Sequence, residues 1–211
     1  MRAASRGLAV FHCDKHVAHK ARHGSYWHPT YRASELKPYL AAAASYVRMR
    51  DTTDRYIMAS IAAVKIVLEE AGPTELATRL RGMSATNRAR IAIARLREAG
   101  IKPERMVSII LGVRALIEED PGSHRVEEFR TVQAMKVLHR LASGTHKYWP
   151  IEDPHGRPLT IQMHAFPKST GRVLRLMGRL LEEPCELTVN KHLESVLALK
   201  IKRYGRHPAL G

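Results

Sequence analysis

The sequence predicts a mainly α-helical protein that carries one β-hairpin. Three observations lead there. Apolar residues recur at i, i+4, i+7 and i+11 in Ile57/Ile61/Val64/Leu68, Ala85/Ala89/Ala92/Leu96 and Met106/Ile110/Val113/Ile117, the spacing that lays one stripe along a helix. Breakers stand between these stretches: Gly72-Pro73, Gly82, Gly100 and Asp120-Pro121-Gly122. Further on the period changes to two, where Leu159, Ile161, Met163 and Ala165 alternate with Thr160, Gln162 and His164 as a strand would.

Residues 1–38 are the least patterned, with Gly24, Pro29 and Pro38 as breakers, and read as a basic, His-rich N-terminal arm. Its Tyr26, Trp27 and Tyr31 are expected to pack on the core rather than stack on bases. Residues 39–120 read as a helical domain that opens with one long scaffold helix over 39–71, its stripe extended backward by Tyr46 and Val47. Ser84 is a fitting N-cap for the helix up to Ala99, Gly100 stops it, and Pro103 with Glu104 starts the next.

Residues 121–211 read as a third part, softly joined at Asp120-Pro121-Gly122. A helix with Val126, Phe129, Ala134, Val137, Leu138 and Leu141 ends near Ser143-Gly144. In the hairpin, His146–Ile151 is the partner strand, and Asp153-Pro154-His155-Gly156 has the residue preferences of a type I turn. Ser169 or Thr170 opens a basic helix with Arg172, Arg175 and Arg179 on one face, opposite Val173, Met177 and Leu180. A last helix from Thr188 carries Leu193, Val196, Leu197 and Ile201 into the basic tail of Lys202, Arg203 and Arg206. That tail is expected to be partly disordered until it meets a polyanion.

Around Gly82 the residues suggest a particular motif. Thr74 is placed to cap a short helix, Glu75-Leu76-Ala77 precedes Gly82-Met83-Ser84, and the next helix is flanked by Arg88, Arg90, Arg95 and Arg97. This resembles a helix-turn-helix, in which the second helix enters the DNA major groove. The glycine falls one residue later than usual after the alanine, and Asn87 or Arg88 stands where the motif normally buries an aliphatic. An ordinary helical hairpin with arginines on its solvated edges fits the same residues.

Composition and charge narrow the function. The 211 residues are 45% hydrophobic and 26% charged, a globular composition with length enough for a core. The formal charge of +15 points to a polyanionic partner, most often nucleic acid. Basic residues outnumber acidic ones nine to two in 1–50, eight to two in 79–105 and nine to four in 168–211. Only Cys13 and Cys185 are present, so no disulfide framework is implied. No apolar run approaches a membrane span and the opening apolar stretch is too short for a secretory signal, which places the expectation in the cytoplasm, away from membranes.

No phosphate-binding Gly-Lys-Ser/Thr loop, dinucleotide fingerprint, paired-cysteine zinc spacing or nucleophile elbow is found. The expected activity is binding rather than catalysis. The expected role is that of a DNA-binding protein of helix-turn-helix or winged-helix-like type: a regulator, or a replication, partition or packaging factor of bacterial type. Its partner is nucleic acid, DNA favoured over RNA, with a homodimer allowed. Thr86, Asn87, Arg88 and Arg90 would reach bases or nearby phosphates, and Arg95 and Arg97 phosphates. Lys147 and Arg157 of the hairpin, Arg172, Arg175 and Arg179, and the tail residues Lys202, Arg203 and Arg206 complete the footprint. An RNA-binding component of a ribonucleoprotein particle is the alternative. The third class is a metal-dependent nucleic-acid enzyme using His12, His16, His19 and His23, whose helical spacing would let the four imidazoles share a zinc ion.

Overall fold

The computed structural model describes residues 12–75, 79–143, 146–164 and 170–210, leaving aside the side chains of 81, 143, 146–151 and 159–164. Eight α-helices succeed one another in chain order among them. They are α1 (Asp14–His23), α2 (Ala33–Arg48), α3 (Arg55–Glu69), α4 (Ala85–Glu98), α5 (Pro103–Glu119), α6 (Glu127–Ser143), α7 (Gly171–Leu181) and α8 (Glu186–Tyr204). Between α6 and α7 run strands β1 (His146–Glu152) and β2 (Pro158–His164), which pair antiparallel with His146 opposite His164 and Glu152 opposite Pro158. Their turn closes with Gly156 N–H donating to the Asp153 carbonyl at 2.9 Å. Gly156 sits at φ 73°, the left-handed conformation that ends this kind of turn and that glycine adopts without strain.

Helix α5 is the axis of the molecule. Its Met106–Val113 segment is buried on every side, as are Ala115, Leu116 and Ile117, and it packs against α2, α3, α6 and α8. A helix apolar all round can only sit inside other helices. The approach of α2 is close because Gly112 has no side chain: a Cβ there would stand 3.1 Å from the Tyr39 carbonyl.

The long scaffold helix expected over 39–71 is two helices. Asp54 breaks it, its carboxylate accepting from the N–H groups of Tyr56 at 2.9 Å and Ile57 at 3.1 Å as the N-cap of α3. Pro38, read as a breaker, lies inside α2. A proline there removes only one backbone hydrogen bond near the helix start, and burial of Leu36, Tyr39, Ala42 and Ala43 holds the helix across it.

The expected N-terminal arm is structured over its described part. Helix α1 ends at Gly24, where a Cβ would lie 2.7 Å from the Glu128 carbonyl, so the chain crosses α6 at backbone contact. Tyr31 is buried and its hydroxyl donates to Asp120 at 2.8 Å, whereas Trp27 is 60% exposed. The turn at Asp120, read as a seam, does not interrupt packing: one apolar cluster runs from Tyr31 through α5 to Val196. The basic tail is likewise folded, with α8 reaching Tyr204 and the His207 N–H donating to Glu119 at 2.9 Å.

Candidate nucleic-acid interface

Helix α4 shows how the fold divides its arginines. Ser84 caps it, its hydroxyl accepting from the Asn87 N–H at 3.2 Å. Thr86, Asn87 and Arg90 are exposed and Arg88 is half-buried, but Ile91 to Leu96 are buried without a break. A helix lying in a major groove needs one open face along its length. Here only the first turn and a half remains open, because α4 is packed among α3, α6 and α7. The short helix expected before it falls partly on 76–78, outside the described residues. Between those residues and Ser84 stands a single 3-10 turn, Arg79–Gly82, and the Thr74 hydroxyl donates to Glu98 at 2.5 Å.

Arg95 and Arg97, read as phosphate contacts, are used inside the fold. Arg95 is 5% exposed and donates to the Glu75 carbonyl at 2.8 Å. Burial pushes its pKa down to about 10. Arg97 donates to the carbonyls of Leu68 at 3.0 Å, Glu69 at 3.2 Å and Gly72 at 2.7 Å. Those are carbonyls at and just beyond the end of α3, which lack helical partners and carry the negative end of its dipole.

Arg175 has the same kind of task. It pairs with Glu128 at 2.6 Å and donates to the carbonyls of Lys20 at 3.1 Å and Ala21 at 3.2 Å, tying α7 to α6 and to the end of α1. Its neighbours Arg172 and Arg179 are exposed and make no ion pair among the described residues. Arg157, one residue past the hairpin turn, is exposed too. The side chain of Lys147 lies outside the described residues. In the tail, Lys202 and Arg206 are exposed, while Arg203 donates to the Ser45 hydroxyl at 3.0 Å.

These contacts gather one basic end of the molecule. The end of α1 meets the start of α7 through Arg175, and the middle of α6 meets α1 where Lys136 Nζ lies 2.7 Å from His23 Nδ1. The hairpin follows α6 in the chain and precedes α7. Exposed Arg22 and Arg172 therefore lie near the junction of α1 with α7, where Glu128 is neutralised by Arg175 and by Lys20 at 3.7 Å. A second basic group was also missed in the sequence. Arg48 at the end of α2 joins Lys102 and Arg105 at the start of α5 around a cleft of about 440 Å³ that also holds Asp51 and Glu104. Neither group is visible from spacing, since each joins helix ends distant in the chain.

The four N-terminal histidines come together in neighbouring pairs, His19 and His23 stacked at 4.3 Å between ring centroids and His12 and His16 at 6.4 Å. His12 stacks on Tyr26 at 3.7 Å between ring centroids, His16 Nδ1 meets Cys13 at 3.0 Å, His19 Nδ1 meets the Ser25 carbonyl at 2.8 Å, and His23 Nδ1 meets Thr30 at 2.8 Å. Each ring has its own local partner. Among the described residues no group of three histidine, cysteine or carboxylate side chains is placed to hold a metal ion.

Burial first, and then the Lys136 charge, pushes His23 down to about 4 from its ordinary 6.5. Burial, and then Arg95, does the same to His139, also to about 4. Below 6.5 the unfolded chain binds protons at these rings that the folded chain refuses, so stability is lost as pH falls from 6.5 toward 4. Urea midpoints are expected to drop across that window, and His139→Gln to flatten the drop. A midpoint unchanged across it would contradict buried neutral rings.

No helix among the described residues is long and apolar enough to cross a membrane. Comparison with protein-family models, with curated proteins and with solved structures finds no match.

Proposed function

We propose that this chain is a cytoplasmic DNA-binding protein, a regulator or a replication, partition or packaging factor of bacterial type, that holds the duplex mainly through its phosphates. One observation carries this. Several acidic side chains are taken up by pairs within the chain, as at Glu119 with Lys200, Glu128 with Arg175 and Glu127 with Arg114, whereas Arg22, Arg90, Arg157, Arg172, Arg179 and Lys202 are exposed and without an ion pair among the described residues. Ion pairing removes charges in equal numbers, so the excess of +15 is not consumed by the chain's own salt bridges.

In this reading the arrangement is winged-helix-like. The exposed first turn of α4, with Thr86, Asn87 and Arg90, is the part that can approach base edges, since the N-terminal residues of a recognition helix make such contacts. The β1–β2 hairpin, with His155 and Arg157 exposed at its turn, lies along the backbone. Arg95, Arg97 and Arg175 take no part. The test is selection of bound molecules from a mixed random pool of DNA and RNA. Enrichment of duplex DNA is expected; enrichment of structured RNA alone would replace this reading with the ribonucleoprotein one.

A further inference from the structure

We infer that α3 is a self-association surface, on which a second copy of the chain docks its own α3 antiparallel about Ala62. One face of α3 buries Ile57, Ser60, Val64 and Leu68 in the core. At 100° per residue, Arg55, Met58, Ala62, Ile66 and Glu69 share the opposite face. All five are exposed, Met58 at 45% and Ile66 at 52%, high values for large apolar side chains on a helix otherwise well covered.

The order of these five residues identifies the occupant. They lie at −7, −4, 0, +4 and +7 from Ala62, so the stripe is symmetric in position about its smallest member. Two copies crossing antiparallel at Ala62 set each Met58 against the partner copy's Ile66 and each Arg55 against its Glu69. Apolar meets apolar, and base meets acid, twice over by the two-fold. That self-complementarity is what an isologous contact requires. A parallel crossing would set Arg55 against Arg55 and Glu69 against Glu69.

Within one copy Arg55 and Glu69 lie about 21 Å apart along the axis and cannot pair. Among the described residues their side chains make local contacts instead, Arg55 with the Tyr56 hydroxyl at 2.7 Å and Glu69 with Lys65 at 3.9 Å. Ala62 at the centre lets the backbones come close.

The face is small. A 15-residue helix is about 22 Å long, so the contact falls below the roughly 800 Å² per partner of a standard interface. The dimer is therefore weak and concentration-dependent. The charge of +15 on each copy adds repulsion that salt screens beyond about 10 Å at 0.1 M. Moderate salt is the condition that favours it.

The test is sedimentation equilibrium of the full chain without nucleic acid, so it stands apart from the DNA-binding reading. The parent is expected to pass from monomer to dimer with concentration. Arg55→Glu alone and Glu69→Arg alone set like charges opposite each other and should each weaken the dimer several-fold. The double variant Arg55→Glu/Glu69→Arg should restore it, and Ala62→Arg should abolish it. Circular dichroism checks that each variant folds; should Ala62→Arg misfold, the charge-reversal set decides. A parent that stays monomeric, larger assemblies, or a double variant no tighter than the singles would overturn the inference.

Discussion

Lys200→Met is expected to destabilise the fold by about 3–5 kcal/mol, the usual cost of removing one partner from a buried ion pair. Lys200 Nζ lies 2.5 Å from Glu119 Oε2, with the two side chains only 2% and 6% exposed. The Tyr39 hydroxyl donates to the same oxygen at 2.6 Å, and the His207 N–H reaches the other oxygen at 2.9 Å. Burial alone would raise the Glu119 carboxyl, but the hydrogen bonds from Lys200, Tyr39 and His207 hold it below its ordinary value.

Without the ammonium, a carboxylate is left under the protein surface with too few donors. The loss should also be wide in reach, because this cluster fastens α2, α5, α8 and the tail together. Glu119→Gln/Lys200→Met should recover much of it, since a neutral, well-packed replacement avoids the unpaired charge. Urea denaturation of the three variants reads both effects. A loss under about 1 kcal/mol for Lys200→Met, the range of an exposed pair, would show that the cluster is solvated.

Arg97→Ala and Arg172→Ala are expected to separate cleanly, although the sequence places both in the binding footprint. Arg97 holds three backbone carbonyls near the end of α3. Its loss should cost about 1–3 kcal/mol of stability through unsatisfied acceptors, with duplex binding by the folded protein unchanged. Arg172 is exposed. Its loss should leave stability within about 0.5 kcal/mol and lower the salt slope of binding by about one phosphate contact. If Arg97→Ala lowers the slope while leaving stability intact, the assignment of the two arginines is reversed.

The helices were legible where a stripe met a cap in the sequence itself. Ser84, Pro103 and Thr170 each stand at the start of a helix because capping is a local matter, settled within three residues. Asp54 was legible in principle too, but the apolar stripes of α2 and α3 hid it by continuing on either side. In α4 the run Ile91-Ala92-Ile93-Ala94 was the sign that no face would be open, although the small-residue stripe beside the arginines fits a one-sided helix as well.

The candidate site was less legible, for a physical reason. Whether an arginine serves solvent or fold depends on acceptors distant in the chain. Arg175 finds carbonyls more than 150 residues away, and Lys200 finds its carboxylate 81 residues away. Charge counting gave the surplus correctly but could not say which cations remain at the surface. The histidine spacing was similarly silent about partners. A helix can align four rings, yet Cys13, Ser25, Thr30 and Tyr26 offered each ring a nearer partner.

The central claim is that the unpaired surface cations bind nucleic-acid phosphates, and the salt dependence of duplex affinity tests it most directly. Each phosphate neutralised releases condensed counterion, giving a slope of about −0.9 per contact in log affinity against log salt. Roughly five to ten contacts are expected, which corresponds to a fall on the order of a thousandfold or more between about 50 and 200 mM salt at six contacts and above. Affinity that barely changes across that range would contradict nucleic acid as the partner of this surface.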